Sequence, residues 1–186
     1  RKVIVSPIFS ADELHSVVGG KLFQKNWEVN GISIDSREIK KNDLFIALKS
    51  KRDGNDFIFS AIEKGAKAAI INKVPIGLPI NFPYILVKDS TKALHAIAKY
   101  SRKRYKGNLV AITGSVGKTS TKDILTKILS IFGLTYSSPK SFNNDLGVPL
   151  TLANIPKKAD YVICEIGMNA KGEIEPLSKL SSPDTA

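Results

Sequence analysis

The chain has 186 residues, 42% apolar and 24% charged, with a formal net charge of +11. That is enough chain for one ordinary domain or two small ones, and its composition is globular rather than disordered. A lone cysteine (Cys164) and two histidines (His15, His95) exclude a disulfide scaffold and a Cys/His zinc module, and no apolar run approaches the length of a membrane-spanning helix.

The chain opens on Arg1 and stops at Ala186, which raises the expectation of a piece of a longer protein. Of the 28 basic residues, 23 are lysine and five arginine. Surfaces that read a nucleic-acid sequence favour the planar fork of arginine, so the charge is read first as a lysine-rich solvated surface. It is uneven: residues 1–106 carry +10 and residues 107–186 carry +1. The basic front half could attract any polyanion, a nucleotide diphosphate included.

In chain order, Ser10-Ala11-Asp12-Glu13 is a capping box that opens a helix ending at Gly19-Gly20. Strand patterns follow at 31–35 and 44–48, a helix from Phe57 to Lys64 closed by Gly65, and a buried strand at 68–71. Pro75, Gly77, Pro79 and Pro83 interrupt the chain before a strand at 84–87. A helix from Ser90 to Tyr105 carries Arg102, Lys103 and Arg104 in its last turn, matched to the negative end of its dipole. Next come a strand at 109–113, a glycine loop, a helix at 118–132, a short strand near Thr135, a strand at 161–166 and a helical pattern from 172 to 180. The fold class expected is α/β: a small α/β N-terminal domain (1–88), a connecting helix (89–106), and a parallel-sheet ATPase domain of phosphate-loop type (107–186), incomplete at its C-terminus.

The most informative stretch is Thr113-Gly114-Ser115-Val116-Gly117-Lys118-Thr119-Ser120. It follows an apolar strand and opens a helix, the context of a phosphate-binding loop, here with two residues rather than four between its glycines. Gly114 and Gly117 let the backbone approach phosphate oxygens, and Ser115, Val116 and Ser120 complete the ATP-binding segment. Lys118 would hold the β- and γ-phosphates, and the Thr119 hydroxyl would ligate Mg²⁺. Glu165 ends the strand 161–166, where a parallel sheet presents its ligand crevice, so its carboxylate could bind Mg²⁺ or polarise a metal-bound water. Cys164, on the opposite side of that strand, and Trp27 are read as packing, and the two histidines lie on helices without acid–base partners.

Three further stretches, Ile34-Asp35-Ser36-Arg37, Ser141 to Leu152 and Glu165 to Ile174, together with the loop, resemble the Mur ligases of bacterial cell-wall synthesis. The Asn-Asn-x-Leu-Gly-Val-Pro and Glu-x-Gly-Met-Asn stretches look most like the branch that joins D-alanyl-D-alanine to UDP-N-acetylmuramoyl-tripeptide. The resemblance implies an N-terminal domain gripping the UDP end of the substrate and a central ATPase domain. It implies ATP and Mg²⁺ as cofactors, an acyl-phosphate intermediate, a cytoplasmic monomer, and no nucleic-acid or membrane partner. It puts Ser36 and Arg37 near the uridine diphosphate, Asn143 and Asn144 near the muramyl peptide, and Lys118 and Glu165 at the catalytic centre. The family's later active-site lysine and histidine and its C-terminal domain are not in this chain, so the chain alone is expected to be inactive.

Two positions depart from the family pattern. Ser50 stands where relatives often have Gly, and Asn55 where they often have His, which replaces a neutral ring's hydrogen bonds but no imidazolium charge. The alternatives left open are a sister ligase that adds the third peptide residue, a folylpolyglutamate-type ligase, a basic phosphate-loop protein that binds nucleic acid, and a non-catalytic nucleotide sensor.

Overall fold

The computed structural model of the chain describes residues 6–49, 53–139, 142–167 and 172–186. Two compact units, 1–97 and 98–186, divide inside one helix, Ser90–Arg104. Both are α/β with parallel sheets, the architecture expected from the alternation of strand and helix patterns.

The first unit begins with β1 (Phe9–Ser10) and α1 (Ala11–Val18), whose start is capped as the Ser10-to-Glu13 spacing requires: the Ser10 hydroxyl accepts from the Glu13 amide at 3.2 Å. β2 (Lys21–Phe23), β3 (Glu28–Val29), β4 (Gly31–Ser33) and β5 (Asp43–Ile46) follow, then α2 (Ile58–Glu63), β6 (Ala68–Ile71) and β7 (Tyr84–Leu86). The main sheet runs β2-β7-β6-β5-β4, with β4 to β7 parallel and β2 antiparallel on the edge. Every residue of β5 and β6 is buried, the signature of strands covered on both faces. Phe45, Ala47, Ala69 and Ile71 pack there against Ile58 and Ala61 of α2.

The helix expected from Phe57 is a 3-10 turn over Gly54–Phe57 followed by α2. Asp53 caps that turn, its carboxylate accepting from the Asn55 amide at 3.0 Å. β1, β2 and β3 carry two or three residues each, too few for a periodic signal.

α3 (Ser90–Arg104) leads into the second unit, which contains β8 (Asn108–Ile112), α4 (Lys118–Leu129), β9 (Thr135–Ser137), α5 (Gly147–Ala153), β10 (Tyr161–Glu165) and α6 (Ile174–Ser181). The sheet order is β8-β10-β9, all parallel, and Thr185 bridges in parallel to Val110 on the outer side of β8. Parallel neighbours require crossovers, and α4 and α5 supply them. Val162, Cys164 and Ile166 alternate onto one face, where they pack with Val148 and Leu152 of α5 and Leu177 of α6. Ile163 and Glu165 take the opposite parity, and α4 packs against β10.

α5 has no counterpart among the elements expected from the sequence. Pro149 occupies the third helical position, inside the first turn, where an α-helix needs no N–H.

Gly54 holds the turn after β5 by close approach: a Cβ there would lie 2.5 Å from the Leu48 carbonyl oxygen and 2.6 Å from the Leu48 nitrogen. Backbone cannot yield as a side chain does, so Gly54→Ala is expected to destabilise the first unit by about 1–3 kcal/mol. Urea denaturation measures this, and an unchanged midpoint would contradict the packing described.

Candidate nucleotide-binding site

β8 is anchored by buried Leu109 and Ala111 and delivers the chain at its carboxyl end into the glycine loop. Gly114 (φ +144°) and Gly117 (φ +79°) adopt conformations that side chains with a Cβ rarely take. Gly117 is also the residue preceding α4, and having no side chain it leaves the first-turn amides uncapped from that position. Lys118 folds back over the loop, its ammonium donating to the Gly114 carbonyl at 2.6 Å. Ser115, Val116 and Ser120 are exposed around it. Loop, lysine and helix start thus form an open cradle of donors with the positive end of a helix dipole behind it, the arrangement that binds phosphate.

Glu165 lies beneath this cradle, only 1% exposed. Its carboxylate accepts from the Thr119 hydroxyl at 3.2 Å (Oε1) and 3.1 Å (Oε2) and from Asn143 Nδ2 at 2.8 Å. The Lys122 ammonium lies 3.8 Å from Oε2 and donates to the Ser138 carbonyl at 3.0 Å. Asn143 is fastened by its main chain as well, accepting from the Gly167 amide at 2.7 Å.

The fold therefore brings Lys118, Thr119, Glu165 and Asn143 of the expected residues together. It adds Lys122, which sequence reasoning passes over because a lysine on an amphipathic helix reads as solvated. The available signal is its spacing, one turn beyond Lys118. Asn144 does not join the carboxylate: its side chain accepts from the Leu146 and Gly147 amides at 3.3 and 2.8 Å and opens α5. Ser141 and residues Met168, Asn169, Ala170 and Lys171, parts of the motifs named above, lie outside the described residues.

Among the described residues no group of three or more His, Cys, Asp or Glu could cage a metal. Mg²⁺ needs no such cage, since it commonly takes one or two protein oxygens together with phosphate and water. The Thr119 hydroxyl donates its hydrogen to the carboxylate, and a hydroxyl oxygen that donates in this way can still coordinate a cation. A hydroxyl and a carboxylate oxygen side by side are the hard donors this ion prefers, so the residues present fit it.

In the first unit, Asp35-Ser36-Arg37 follows β4 and Asn55 and Asn72 follow β5 and β6, so all lie toward the carboxyl edge of the parallel strands. Arg37 makes a bidentate pair with Asp35, Nε to Oδ1 at 3.0 Å and Nη2 to Oδ2 at 2.7 Å, and its side chain is 82% exposed. The hydrogen bonds and charge of Asp35 raise the guanidinium above its ordinary pKa. Ser36 is buried, so the two neighbours face different surroundings. Asn55 is buried too, its amide donating to Asp53 Oδ1 and Asn72 Oδ1 at 2.6 Å each. Hydrogen bonds from the Asn55 main-chain and side-chain amides hold the Asp53 carboxyl below its usual range. Asn55 Oδ1 is buried without a hydrogen-bond partner among the described residues. Ser50, the other departure from the family pattern, lies outside them.

A strand–glycine loop–helix unit on a parallel sheet, with a buried carboxylate bonded to the helix's second residue, has the architecture of the phosphate-loop class. The Mur ligase family catalytic-domain model matches residues 28–102 and the Mur ligase middle-domain model residues 112–186. The chain belongs to the Mur ligase family.

Among curated relatives, the UDP-N-acetylmuramoyl-tripeptide–D-alanyl-D-alanine ligase of Rickettsia prowazekii is 43% identical over 157 residues, 84% of this chain and 35% of that protein. The Bacillus subtilis ligase of the same name is 36% identical over 91% of this chain and 38% of that protein. The chain thus spans a little over a third of the length of these relatives. Among solved structures, the UDP-N-acetylmuramoylalanyl-D-glutamyl-2,6-diaminopimelate–D-alanyl-D-alanyl ligase of Acinetobacter baumannii matches with TM-score 0.81 and 32% identity, over 98% of this chain and 41% of that one. MurF ligase of Thermotoga maritima in complex with ADP matches with TM-score 0.64 and 32% identity, over 83% of this chain and 36% of that one.

Cys164 is fully buried beside Glu165 on β10, and burial pushes its thiol up to about 12. The thiolate is the nucleophile, so at pH 8 the native thiol stays protonated and unreactive. Iodoacetamide is expected to label Cys164 only after denaturation. Rapid native labelling at pH 8 would contradict the packing of β10.

Proposed function

We propose that this chain is the substrate-gripping and phosphate-loop part of an ATP-dependent ligase that adds D-alanyl-D-alanine to UDP-N-acetylmuramoyl-tripeptide. The observation that carries the reading is the Thr119–Glu165 contact at the head of the glycine loop, in a chain whose relatives bear that ligase's name. Those names favour this branch over a sister ligase, and the loop with its buried carboxylate favours a nucleotide over a nucleic acid as the bound polyanion. Residues 1–88 would grip the UDP end, 89–106 connect, and 107–186 bind ATP. Cytoplasmic location and a monomeric state belong to the same proposal.

In this reading the tripeptide's terminal carboxylate oxygen attacks the γ-phosphorus, and the bond from that phosphorus to the departing ADP breaks. The amine nitrogen of D-alanyl-D-alanine then attacks the acyl carbon, the carbon–oxygen bond to phosphate breaks, and the amine loses a proton as the amide forms. Phosphoryl transfer asks the protein mainly to position anions and neutralise developing charge. The loop amides and Lys118 would hold the β- and γ-phosphates, with Ser115, Val116 and Ser120 shaping the rim. Thr119 and Glu165 would hold Mg²⁺, which supplies charge neutralisation at the phosphate oxygens. Lys118 and Glu165 are the catalytic residues proposed. Asn143, held on Glu165, would lie near the muramyl peptide, and Asn144 would order the same loop. Ser36 and Arg37 would receive the uridine diphosphate, Arg37 exchanging or sharing Asp35 with the pyrophosphate through its fork.

Substitution in the complete ligase separates the two halves. Lys118→Ala is expected to lower ligation by roughly 100-fold or more, the scale for losing a transition-state charge contact, and to leave UDP-substrate binding nearly intact. Arg37→Ala is expected to do the reverse, weakening UDP-muramyl-peptide binding roughly ten-fold or less by calorimetry. Near-normal turnover in Lys118→Ala would falsify the assignment of the loop.

The 186-residue chain by itself is expected to form no product from UDP-tripeptide, ATP, Mg²⁺ and D-alanyl-D-alanine. A phosphate loop holds only one end of one substrate, and the reaction needs carboxylate, γ-phosphate and amine aligned with water excluded. Mass spectrometry is the check, and product at the rate of the complete enzyme would overturn the reading.

A further inference from the structure

Lys122 is 2% exposed, on the face of α4 turned to the sheet. Among the described residues, the carboxylates of Asp123, which is 62% exposed, and Glu165, which is 1% exposed, each lie 3.8 Å from its ammonium. Water and salt screen the first, so of these two Glu165 acts on Lys122 the more strongly. Stability does not call for such a pair, because desolvating two ions costs several kcal/mol each and apolar residues of the same volume often serve as well. The ammonium is also tied to the Ser138 carbonyl at 3.0 Å, at the end of β9. It is therefore a fixed charge behind the carboxylate, with Thr119 on the loop side and Asn143 on Oε1.

Lys118, Lys122 and Glu165 sum to one positive charge, so a bare dication approaches a site that repels it, whereas a polyphosphate approaches one that attracts it. We propose that Lys122 is a positioning residue acting through Glu165: as the built-in counter-ion of that carboxylate, it holds the Thr119–Glu165 pair in place without metal and makes the site accept Mg²⁺ together with the nucleotide rather than alone. This rests on the reading that the loop binds a nucleotide. A purely structural lysine would do neither of these things. Its removal would loosen the site and weaken every ligand, whereas removal of a counter-ion leaves Glu165 to attract the dication by itself.

The test uses the complete ligase and Mn²⁺, which takes the same oxygen donors and whose free ion is counted by electron paramagnetic resonance. Lys122→Met keeps the length of the side chain and removes its charge. It is expected to bind Mn²⁺ without nucleotide at least ten-fold more tightly than the wild type. Lys122→Arg is expected to restore the wild-type pattern, and Lys122→Met combined with Glu165→Gln to lose the gain. Circular dichroism establishes folding. If the Met variant does not fold, Lys122→Gln, whose amide remains a donor, is titrated in its place with the same expected gain.

Unchanged or weaker nucleotide-free Mn²⁺ binding in the folded variant, with ADP still bound by the wild type, overturns this inference and leaves the proposed function standing. Failure of the wild type to bind ADP overturns both.

Discussion

A carboxylate buried at the end of a β-strand must be answered by donors and counter-charges, and the second unit is arranged around that requirement at Glu165. Two answers come from α4, the Thr119 hydroxyl and the Lys122 ammonium, and one comes from Asn143, 22 residues back along the chain. Together they tie the glycine loop, the helix after it and the segment before α5 to the last residue of β10. Gly167 shows how tightly this is drawn: a Cβ there would sit 2.7 Å from the Asn143 side chain, which would have to shift away from its place on Glu165. The cradle is open, and its floor is fixed by the hydrogen bonds that converge on the buried Glu165 carboxylate.

The first unit handles charge differently. Its functional candidates stand at the carboxyl edge of parallel strands, yet the arginine among them is exposed and already paired with Asp35. An exposed pair contributes little to stability, so holding Arg37 in one orientation is the larger effect of Asp35. The buried Asn55 completes the contrast. Its side-chain amide is committed to Asp53 and Asn72 while its oxygen is left over among the described residues. A neutral side chain thus spans two strand ends without bringing a charge into the core.

How much of this could be read from the amino-acid order follows from how local each signal is. The loop was legible because strand, glycines, lysine and helix are contiguous, and Glu165 because parallel strands put their carboxyl ends in one crevice. Trp27 and Cys164 were legible as packing, and both are buried. Lys122 was not, since the residue that makes it special is far along the chain, on β10, and lysines on helices usually face water. Asn143 was placed by resemblance near a substrate, whereas its contact with Glu165 depends on the return of the chain through α5. That helix is seven residues long with Pro149 in its first turn, too short for a clear helical period. The short strands β1 to β3 hold too few residues to show a period, and their pairing is decided by neighbours distant in sequence.

The lysine of the loop shows why such a site can be built before its ligand arrives. Among the described residues Lys118 has no carboxylate partner; its ammonium donates to a neutral carbonyl of its own loop, Gly114, at 2.6 Å. That bond holds the side chain over the place a phosphate would occupy, so little rotamer entropy remains to be lost on binding. A phosphate oxygen is a stronger, charged acceptor than a peptide carbonyl, and the exchange runs toward the ligand. Had Lys118 been paired with Glu165, phosphate would have had to break a buried ion pair first. Lys122 occupies that partnership instead, one turn further along the same helix, and its presence there leaves the exposed lysine available to the anion.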